Sequence, residues 1–496
     1  MYKNLTIKNI SSSFGLQIIN TVSGLILSGL IINFYGSNIN GTIISITSLL
    51  NYITVLDSGL TGVIKFELYE PLSKNNWTKI SSILASARIF FKRIAITFLG
   101  YIFLLLVLYT KVLESTISKS SINLLIIAIS LILFFEYYSG ISNRLLILAD
   151  NKHVFYYTLQ SVVTIINLFL SIILIHFKQS IILVKFVNSS IFLINPLCLF
   201  FYVKIKYKID YDIQPEENAF IQRWDGLAHH IANLSRNNID ILLMTIFFSP
   251  REISIYSVYM MILNGIGRFS RILTTGMDSI IGKMLALKEY DLLKNYFDRA
   301  QFLFALVVYI FITTISEVII PFLNIYINDG KNQGYLNADF MILIVLCQLI
   351  VLLRTPYNHV VFSAGKYKET RGIALTEVAL NTILSFLFIA IFGINGLVLG
   401  TLLSSLYYLI RVELFIKTSS LANIISVNVK QQVIFTIFGV LIYLVSQVDL
   451  IKISNWSDFI IVGSIVFVKN CFLFLLIGVV FFPKQRKIWL NFFLKR

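Results

Sequence analysis

The chain has 496 residues, of which 57% are hydrophobic and only 13% are charged, and its mean hydropathy is +0.81. Because a soluble domain contains about 25% charged residues, this composition excludes a soluble globular protein and predicts a polytopic membrane protein. The net charge of +16 would also fit a nucleic-acid-binding protein, but the positions of the basic residues give a different explanation. The three cysteines lie apart in apolar segments, so they are interpreted as packing residues rather than metal ligands.

Apolar segments long enough to cross a bilayer follow one another along the whole chain. A transmembrane helix needs about twenty mostly apolar residues, and by this measure the sequence predicts fourteen helices. The polar segments between them are short and charged, so no soluble domain is predicted. The predicted helices cover residues 11–34, 40–64, 88–109, 121–148, 154–176, 180–203, 225–248, 253–284, 300–327, 338–362, 372–393, 395–416, 430–449 and 458–482.

Lysine and arginine are distributed unevenly between the two sides of the predicted helices. If the N-terminus is cytoplasmic, the cytoplasmic segments contain about four times as many Lys and Arg residues as the external ones. Cytoplasmic loops of membrane proteins are enriched in basic residues, so the pattern predicts that both termini are cytoplasmic. The same bias explains most of the positive charge, and no nucleic-acid partner is predicted.

The two halves of the sequence resemble each other at a separation of about 215 residues. Asn143–Lys152 (NRLLILADNK) is similar to Asn358–Lys366 (NHVVFSAGK), and Ser189 is matched by Ser404 in a similar apolar setting. This separation covers six helices, so the sequence predicts two six-helix lobes related by a pseudo-two-fold axis along the membrane normal. The predicted domains are an N-terminal lobe at 1–208, a C-terminal lobe at 209–420, and two extra helices with a basic cytoplasmic tail at 421–496.

Polar residues follow helical spacing in the first, second, seventh and eighth predicted helices. Such spacing places side chains on one face of a helix, and charged side chains in apolar helices normally face a bundle interior or a wet cavity. Because the repeat makes the first two of these helices equivalent to the other two, we expect all four to surround a central cleft. The predicted substrate-binding residues are Arg236, Arg268, Arg271, Asn20, Asn51, Asn233, Asn237, Asn264 and Arg354.

Two arginines that are three residues apart, Arg268 and Arg271, are poorly explained by helix packing. A guanidinium group presents a planar fork of donors to phosphate oxygens, so this pair predicts a phosphate-bearing ligand. Two other arginines have alternative explanations that stay open. Arg236 can form a neutral structural pair with Asp240, and Arg354 can reach toward the cytoplasmic interface.

Carboxylates in the predicted helices are candidates for coupling to H⁺ or Na⁺, because a carboxylate in a low dielectric takes up a proton more readily than one in water. The alternative for each is a local salt bridge or a helix-end hydrogen bond. The sequence contains no nucleophile motif, glycine-rich phosphate loop or metal-ligand cluster, so it predicts transport without a bound cofactor rather than enzymatic catalysis. The coupling candidates are Asp57, Asp240, Glu136 and Glu377.

Two local segments resemble a known family. Ile239-Asp240 together with Ser254–Ser257 (SIYS), and Leu56–Leu60 (LDSGL), are similar to the corresponding segments of bacterial polysaccharide flippases. These are the Wzx-type O-antigen and capsule flippases of the multidrug/oligosaccharidyl-lipid/polysaccharide exporter superfamily. The helix count, the lobe repeat and the orientation extend the resemblance over the whole chain.

The resemblance implies that the protein moves undecaprenyl-pyrophosphate-linked oligosaccharide repeat units from the cytoplasmic to the outer leaflet of the bacterial inner membrane. It implies alternating access, antiport of H⁺ or Na⁺, and a cationic cleft between the lobes, which Arg236, Arg268 and Arg271 match by position. It also implies contact of the prenyl tail with membrane lipid, and a polysaccharide polymerase and a chain-length regulator as partners.

Three alternatives stay open at this point. A cation-coupled multidrug exporter of the same superfamily usually has twelve helices, so the extra pair of helices and the arginine-rich cleft argue against it. A lipid II flippase shares the fourteen helices and the basic cavity. A polysaccharide polymerase or membrane glycosyltransferase typically needs a sizeable catalytic loop, whereas every loop predicted here is short.

Overall fold

In the computed structural model, the described residues are 2–57, 60–112, 117–215, 238–274, 276–327, 334–422, 424–446, 453 and 455–483. Over these ranges the chain forms α-helices joined by short turns and contains no β-strand. Ten of the helices described are long and apolar enough to cross a membrane, and counting one bent helix pair at 37–73 as a span gives eleven. The prediction of an all-α polytopic membrane protein is thus confirmed, and the exact number of fourteen helices stays a prediction.

The helices of the first half follow the predicted apolar segments, but two of those segments are broken. A 3₁₀ turn at Tyr52–Val55 and a short loop interrupt the predicted helix 40–64, and a π-helical turn at Glu136–Gly140 interrupts 121–148. Single π-helical turns within α-helices are frequent at functional sites. The helices are α1 (Tyr2–Tyr35), α2 (Ser37–Asn51), α3 (Leu60–Ser73), α4 (Trp77–Val112), α5 (Lys119–Phe135), α6 (Ile141–Ala149), α7 (His153–His176), α8 (Ile181–Phe192) and α9 (Ile194–Lys206).

The second half is also interrupted at defined residues. The predicted helix 253–284 ends early, because Gly276 adopts a left-handed conformation (φ 88°) that only glycine reaches without strain. The longest helix described changes direction at Gly393 (φ 56°). Its two arms correspond to the predicted helices 372–393 and 395–416. The helices are α10 (Asn238–Phe247), α11 (Pro250–Leu273), α12 (Met277–Ala286), α13 (Tyr290–Tyr326), α14 (Ala338–Leu353), α15 (Thr355–Ser363), α16 (Tyr367–Thr418), α17 (Val429–Ser446) and α18 (Trp456–Phe481).

Left-handed turns recur along the chain at the separation found in the sequence. Three residues of the first half with positive φ each have a counterpart about 215 residues later. Two of these turns also have the same pattern of backbone hydrogen bonds. The three N–H groups that follow α6 and the three that follow α15 bond to carbonyl groups at equivalent positions of their own helix. The local backbone therefore repeats. The pairs are Asn75 with Lys288, Asn151 with Gly365, and Lys178 with Gly393.

Buried serines occur at equivalent places in the two halves. Ser171 in α7 donates to Asn188 at 2.8 Å, and Ser385 in α16 donates to Asn381 at 3.4 Å, which in turn donates to Thr401 at 3.3 Å. All five side chains are buried, so each half has a polar cluster that joins neighbouring helices. By contacts the chain divides into two compact units, Met1–Met261 and Ile262–Arg496, and the predicted bounds at 208 and 420 stay predictions.

The reversal at Gly393 brings the two arms of α16 into direct backbone contact. A Cβ atom at Gly396 would overlap the carbonyl oxygen of Phe388, and one at Gly400 would overlap Ser385. Only glycine fits at these two positions, because the overlapping atoms belong to the opposite backbone or lie directly on it.

We expect Gly396→Ala to destabilise the protein by about 1–3 kcal/mol, the usual cost of forcing extra atoms into a packed contact. Thermal unfolding of the purified protein in detergent measures the change. Gly372→Ala is the matched control, since Gly372 lies in the same helix with open space around it. Equal melting temperatures for the two variants would contradict the packing described here.

Candidate functional site

A line of hydrogen bonds joins α2 to α10 and to the first turns of α11, all within the unit Met1–Met261. These contacts, here called the polar seam, connect helices that the sequence analysis assigned to opposite sides of a cleft. Most of the side chains are buried, so their hydrogen bonds replace contacts with water. The pairs are Asn40 with Ser254 at 2.7 Å, Ser45 with Thr245 at 2.7 Å, and Ser48 with Asn238 at 3.3 Å.

One end of the polar seam is closed by main-chain contact. A Cβ atom at Gly41 in α2 would overlap the carbonyl group of Pro250 at the start of α11. The two helix ends therefore touch without intervening side chains, which leaves no passage for a ligand at this point.

Asp240 lies beside the polar seam and is buried. The hydroxyl group of Tyr256 donates to its carboxylate at 2.6 Å. This hydrogen bond satisfies part of the acceptor capacity of the buried carboxylate. The predicted partner Arg236, and with it Asn233 and Asn237, lies outside the described residues.

Arg268 and Arg271 lie on one face of α11 with Asn264, in the last turns before the break at Gly276. Asn264 and Arg271 are exposed, and Arg268 is partly buried. Their place differs from the predicted one near the middle of a helix at 253–284, because α11 ends at Leu273. Cationic side chains near a helix C-terminus interact favourably with the helix dipole.

The two asparagines predicted in the first two helices lie in different surroundings. Asn20 is exposed on α1 and accepts a hydrogen bond from Thr164 of α7 at 3.3 Å. Asn51 is the last residue of α2, directly before the 3₁₀ turn, and is partly buried. The structure does not place both in one contact, so their roles stay predictions.

Two of the predicted coupling acids lie near each other in Met1–Met261. Glu136, in the π-helical turn, forms an ion pair with Arg144, and Asp57 accepts a hydrogen bond from Tyr137 at 3.1 Å. The ion pair lines a polar cavity of about 230 Å³ together with Tyr156 and other residues of α7 and α9. Arg144 lies within α6 and lines this cavity.

Arg354 and Glu377 form an ion pair that is almost completely buried in the unit Ile262–Arg496. The guanidinium group also lies 4.7 Å from the centre of the Tyr408 ring, whose hydroxyl donates to Asn358 at 3.0 Å. Arg354 therefore faces a partner in α16 and not the interface that the sequence left open. The pair stabilises the junction of α14 with α15, and a role in transport for either residue stays a prediction.

A further polar cluster joins α13, α17 and α18, and the sequence did not predict its pairing. Lys469 of α18 contacts Glu317 of α13 and Ser446 of α17, both at 2.6 Å, and Asn470 donates to Glu317 at 2.9 Å. A single lysine in an otherwise apolar helix signals a buried acidic partner, but the sequence could not say which acid. Among the described residues, no three His, Cys, Asp or Glu side chains come together as a metal ion would require.

Removing one member of the Arg354–Glu377 pair should cost about 3–5 kcal/mol, because the other charge is left buried alone. We expect Glu377→Gln to lower the melting temperature strongly and the double variant Arg354→Met, Glu377→Leu to recover most of the loss. Arg371→Gln, at an exposed position of α16, is the control. A Glu377→Gln protein as stable as this control would contradict a structural role for the pair.

The fold of this chain is similar to that of known proteins. The family model MatE matches residues 228–387, about a third of the chain, and no curated protein matches it in sequence. Among solved structures, the chain is similar to the lipid II flippase MurJ in an inward closed conformation, with a TM-score of 0.67 and 13% identity over 97% of this chain and 99% of that one.

Two solved multidrug transporters are also similar. The MATE multidrug transporter DinF-BH has a TM-score of 0.60 and 14% identity over 85% of this chain and 96% of that one. The eukaryotic MATE transporter AtDTX14 has a TM-score of 0.56 and 10% identity over 90% of this chain and 99% of that one. The chain is thus a multi-pass membrane protein with the fold shared by MATE transporters and MurJ.

Proposed function

We propose that this protein is a flippase for undecaprenyl-pyrophosphate-linked oligosaccharide repeat units, working by alternating access in the bacterial cytoplasmic membrane. The observation behind the proposal is the pair Arg268 and Arg271 on one face of α11, in a chain that has only 13% charged residues. Drug cations would be repelled by two guanidinium groups, whereas a pyrophosphate would be bound by them.

The last two helices also support a lipid-linked substrate. The likeness to MurJ extends over 97% of this chain, whereas the likeness to DinF-BH extends over 85%. The additional helices α17 and α18 are held to α13 by Glu317, Lys469 and Tyr309, the last of which contacts Thr436 at 2.7 Å. A twelve-helix drug exporter would lack such a pair, whereas a carrier with a long prenyl tail would gain apolar surface from it.

In this proposal the polar seam is the part that opens and closes. The seam joins α2 to α10 and α11, and its hydroxyl and amide side chains can exchange protein partners for water at low cost. The wet, opened seam would admit sugar hydroxyl groups to the same asparagines and serines. Protonation of Asp57, Asp240, Glu136 or Glu377 would supply the energy that favours one conformation over the other.

A lipid II flippase is the second candidate, favoured by the likeness to MurJ over nearly the full length of both chains. Both substrates present a pyrophosphate on a prenyl carrier, so the arginine pair fits either. Genetics separates the two functions: restored surface polysaccharide in a strain that lacks its flippase supports the first proposal, and restored growth in a strain depleted of its lipid II flippase supports the second.

We expect the double variant Arg268→Gln, Arg271→Gln to abolish surface polysaccharide at normal protein levels. Each charge-assisted hydrogen bond lost costs about 1.5–3 kcal/mol, or roughly tenfold or more in affinity. Replacement of both arginines by lysine should retain part of the activity, because the charge is kept and the planar fork is lost. Arg251→Gln, at the exposed opposite end of α11, is the matched control. Full polysaccharide in the double glutamine variant would refute the arginine role.

If the polar seam opens during transport, a covalent link across it should stop the cycle. In a protein whose three native cysteines are replaced, Ser45→Cys with Thr245→Cys should form a disulfide, since the two hydroxyl groups are 2.7 Å apart. We expect oxidation to abolish export and reduction to restore it, whereas export by each single cysteine variant should not respond to oxidation or reduction. Export that persists in the fully cross-linked protein would show that the seam does not move.

A further inference from the structure

A basic pocket lies at the end of α4 that the positive-inside pattern predicts to be cytoplasmic. Its volume is about 400 Å³, and all of its lining belongs to the described part of Met1–Met261. The pocket is formed by α4, by the π-helical turn with α6, by α9, and by the segment 211–215 that follows α9. The polar and aromatic residues that line it are Arg88, Lys92, Tyr138, Ser139, Asn143 and Tyr211.

Two cations are held over aromatic rings in this basic pocket. The Arg88 guanidinium group lies 4.3 Å from the centre of the Tyr211 ring, and the Lys92 ammonium group lies 5.3 Å from that of Tyr138. Contact with a ring face orients a cation while leaving its N–H groups able to donate. None of the described side chains that line the pocket is acidic.

One donor of the basic pocket has no partner among the described residues. The Nη2 atom of Arg88 is buried and makes no hydrogen bond with this part of the chain. A buried charged donor without an acceptor costs more than a neutral one, so an anionic ligand would remove this cost. Asp210 and Asp212, the acids on either side of Tyr211, are exposed and do not line the pocket.

The wall that contains Tyr211 is fixed by its own contacts. The backbone N–H of Asp210 donates to Ser81 at 3.0 Å, and Ser82 donates to the carbonyl group of Gln214 at 3.2 Å. Tyr207, which precedes this wall, donates to Asp150 at 2.7 Å. The segment 207–215 is therefore attached to the end of α4 and to the end of α6, and the pocket is preformed.

An exposed apolar stripe extends from the basic pocket along α4. Ile89 lines the pocket and is 41% exposed, and Ile96, Leu99 and Phe103 continue the same face with 67%, 50% and 70% exposure. With 36 residues, α4 is about 54 Å long, so it extends well beyond the roughly 30 Å hydrocarbon layer. Lys92 marks the point where its polar end meets the apolar stripe.

We propose that this basic pocket binds the phosphate group of an anionic membrane lipid, with an acyl chain along Ile96, Leu99 and Phe103. Arg88 and Lys92 neutralise the phosphate, as basic pockets between transmembrane helices on the cytoplasmic side do for lipid head groups. The bound lipid would also hold the segment 207–215 against α4. This proposal does not depend on what the protein transports.

Retention of lipid by the purified full-length protein tests the proposal. The protein is placed in nanodiscs of phosphatidylcholine with or without phosphatidylglycerol, and bound phosphatidylglycerol is measured by native mass spectrometry. We expect Arg88→Gln and Lys92→Gln each to weaken retention about fivefold, since one basic residue near an anionic surface contributes about this much. Arg93→Gln is the matched control, because Arg93 is adjacent, exposed and outside the pocket.

Two further arms make each outcome informative. Inorganic phosphate that displaces phosphatidylglycerol at equal concentration would assign the pocket to a soluble phosphate and overturn the lipid proposal. If Arg88→Gln does not fold, Lys92→Glu is used instead, because Lys92 is exposed. Unchanged lipid retention in the Lys92→Glu protein would also overturn the proposal. Because the readout is lipid retention, its failure is distinguishable from a failure of polysaccharide export.

Discussion

A polar group inside the hydrocarbon layer finds no water, so its partner must be supplied by the protein. In the described residues this constraint decides which helices are neighbours. Lys469 joins α18 to Glu317 of α13, and Arg354 joins the α14–α15 junction to Glu377 of α16. Apolar faces of such helices do not specify a partner, because a leucine side chain is as favourable against lipid as against another helix. The polar pairs therefore supply the specificity of the packing.

The same constraint explains where the helices break. Irregular backbone within a membrane is tolerated only where it is covered by protein or lines a polar cavity. The breaks after α2, α5, α11 and α14 all occur beside ionisable residues: Asp57, Glu136, Arg271 and Arg354 respectively. Each break frees backbone groups and brings charge to the same place. Ionisable residues thus lie at the points where regular structure ends.

Two cationic sites with different surroundings follow from this arrangement. The arginines of α11 lie at a helix end next to a glycine break, in the part of the chain that the MatE model matches. Arg88 and Lys92 lie where α4 leaves its apolar section, over aromatic rings and beside an exposed apolar stripe. Phosphate chemistry suits both sites, and the second lies beside the exposed apolar stripe of α4, along which a lipid chain can lie.

Composition, apolar length and helical spacing were sufficient to predict a polytopic all-α protein, because each is a property of a single helix. The separation between similar segments was likewise visible in the sequence, and the left-handed turns of Asn151 and Gly365 recur at that separation. What tertiary structure alone decided was the partner of each charge. Glu377 for Arg354 and Tyr211 for Arg88 come from helices or segments that no local pattern connects. The physical reason is that a pairing depends on which faces of two distant helices meet, and a periodic pattern describes only one helix at a time.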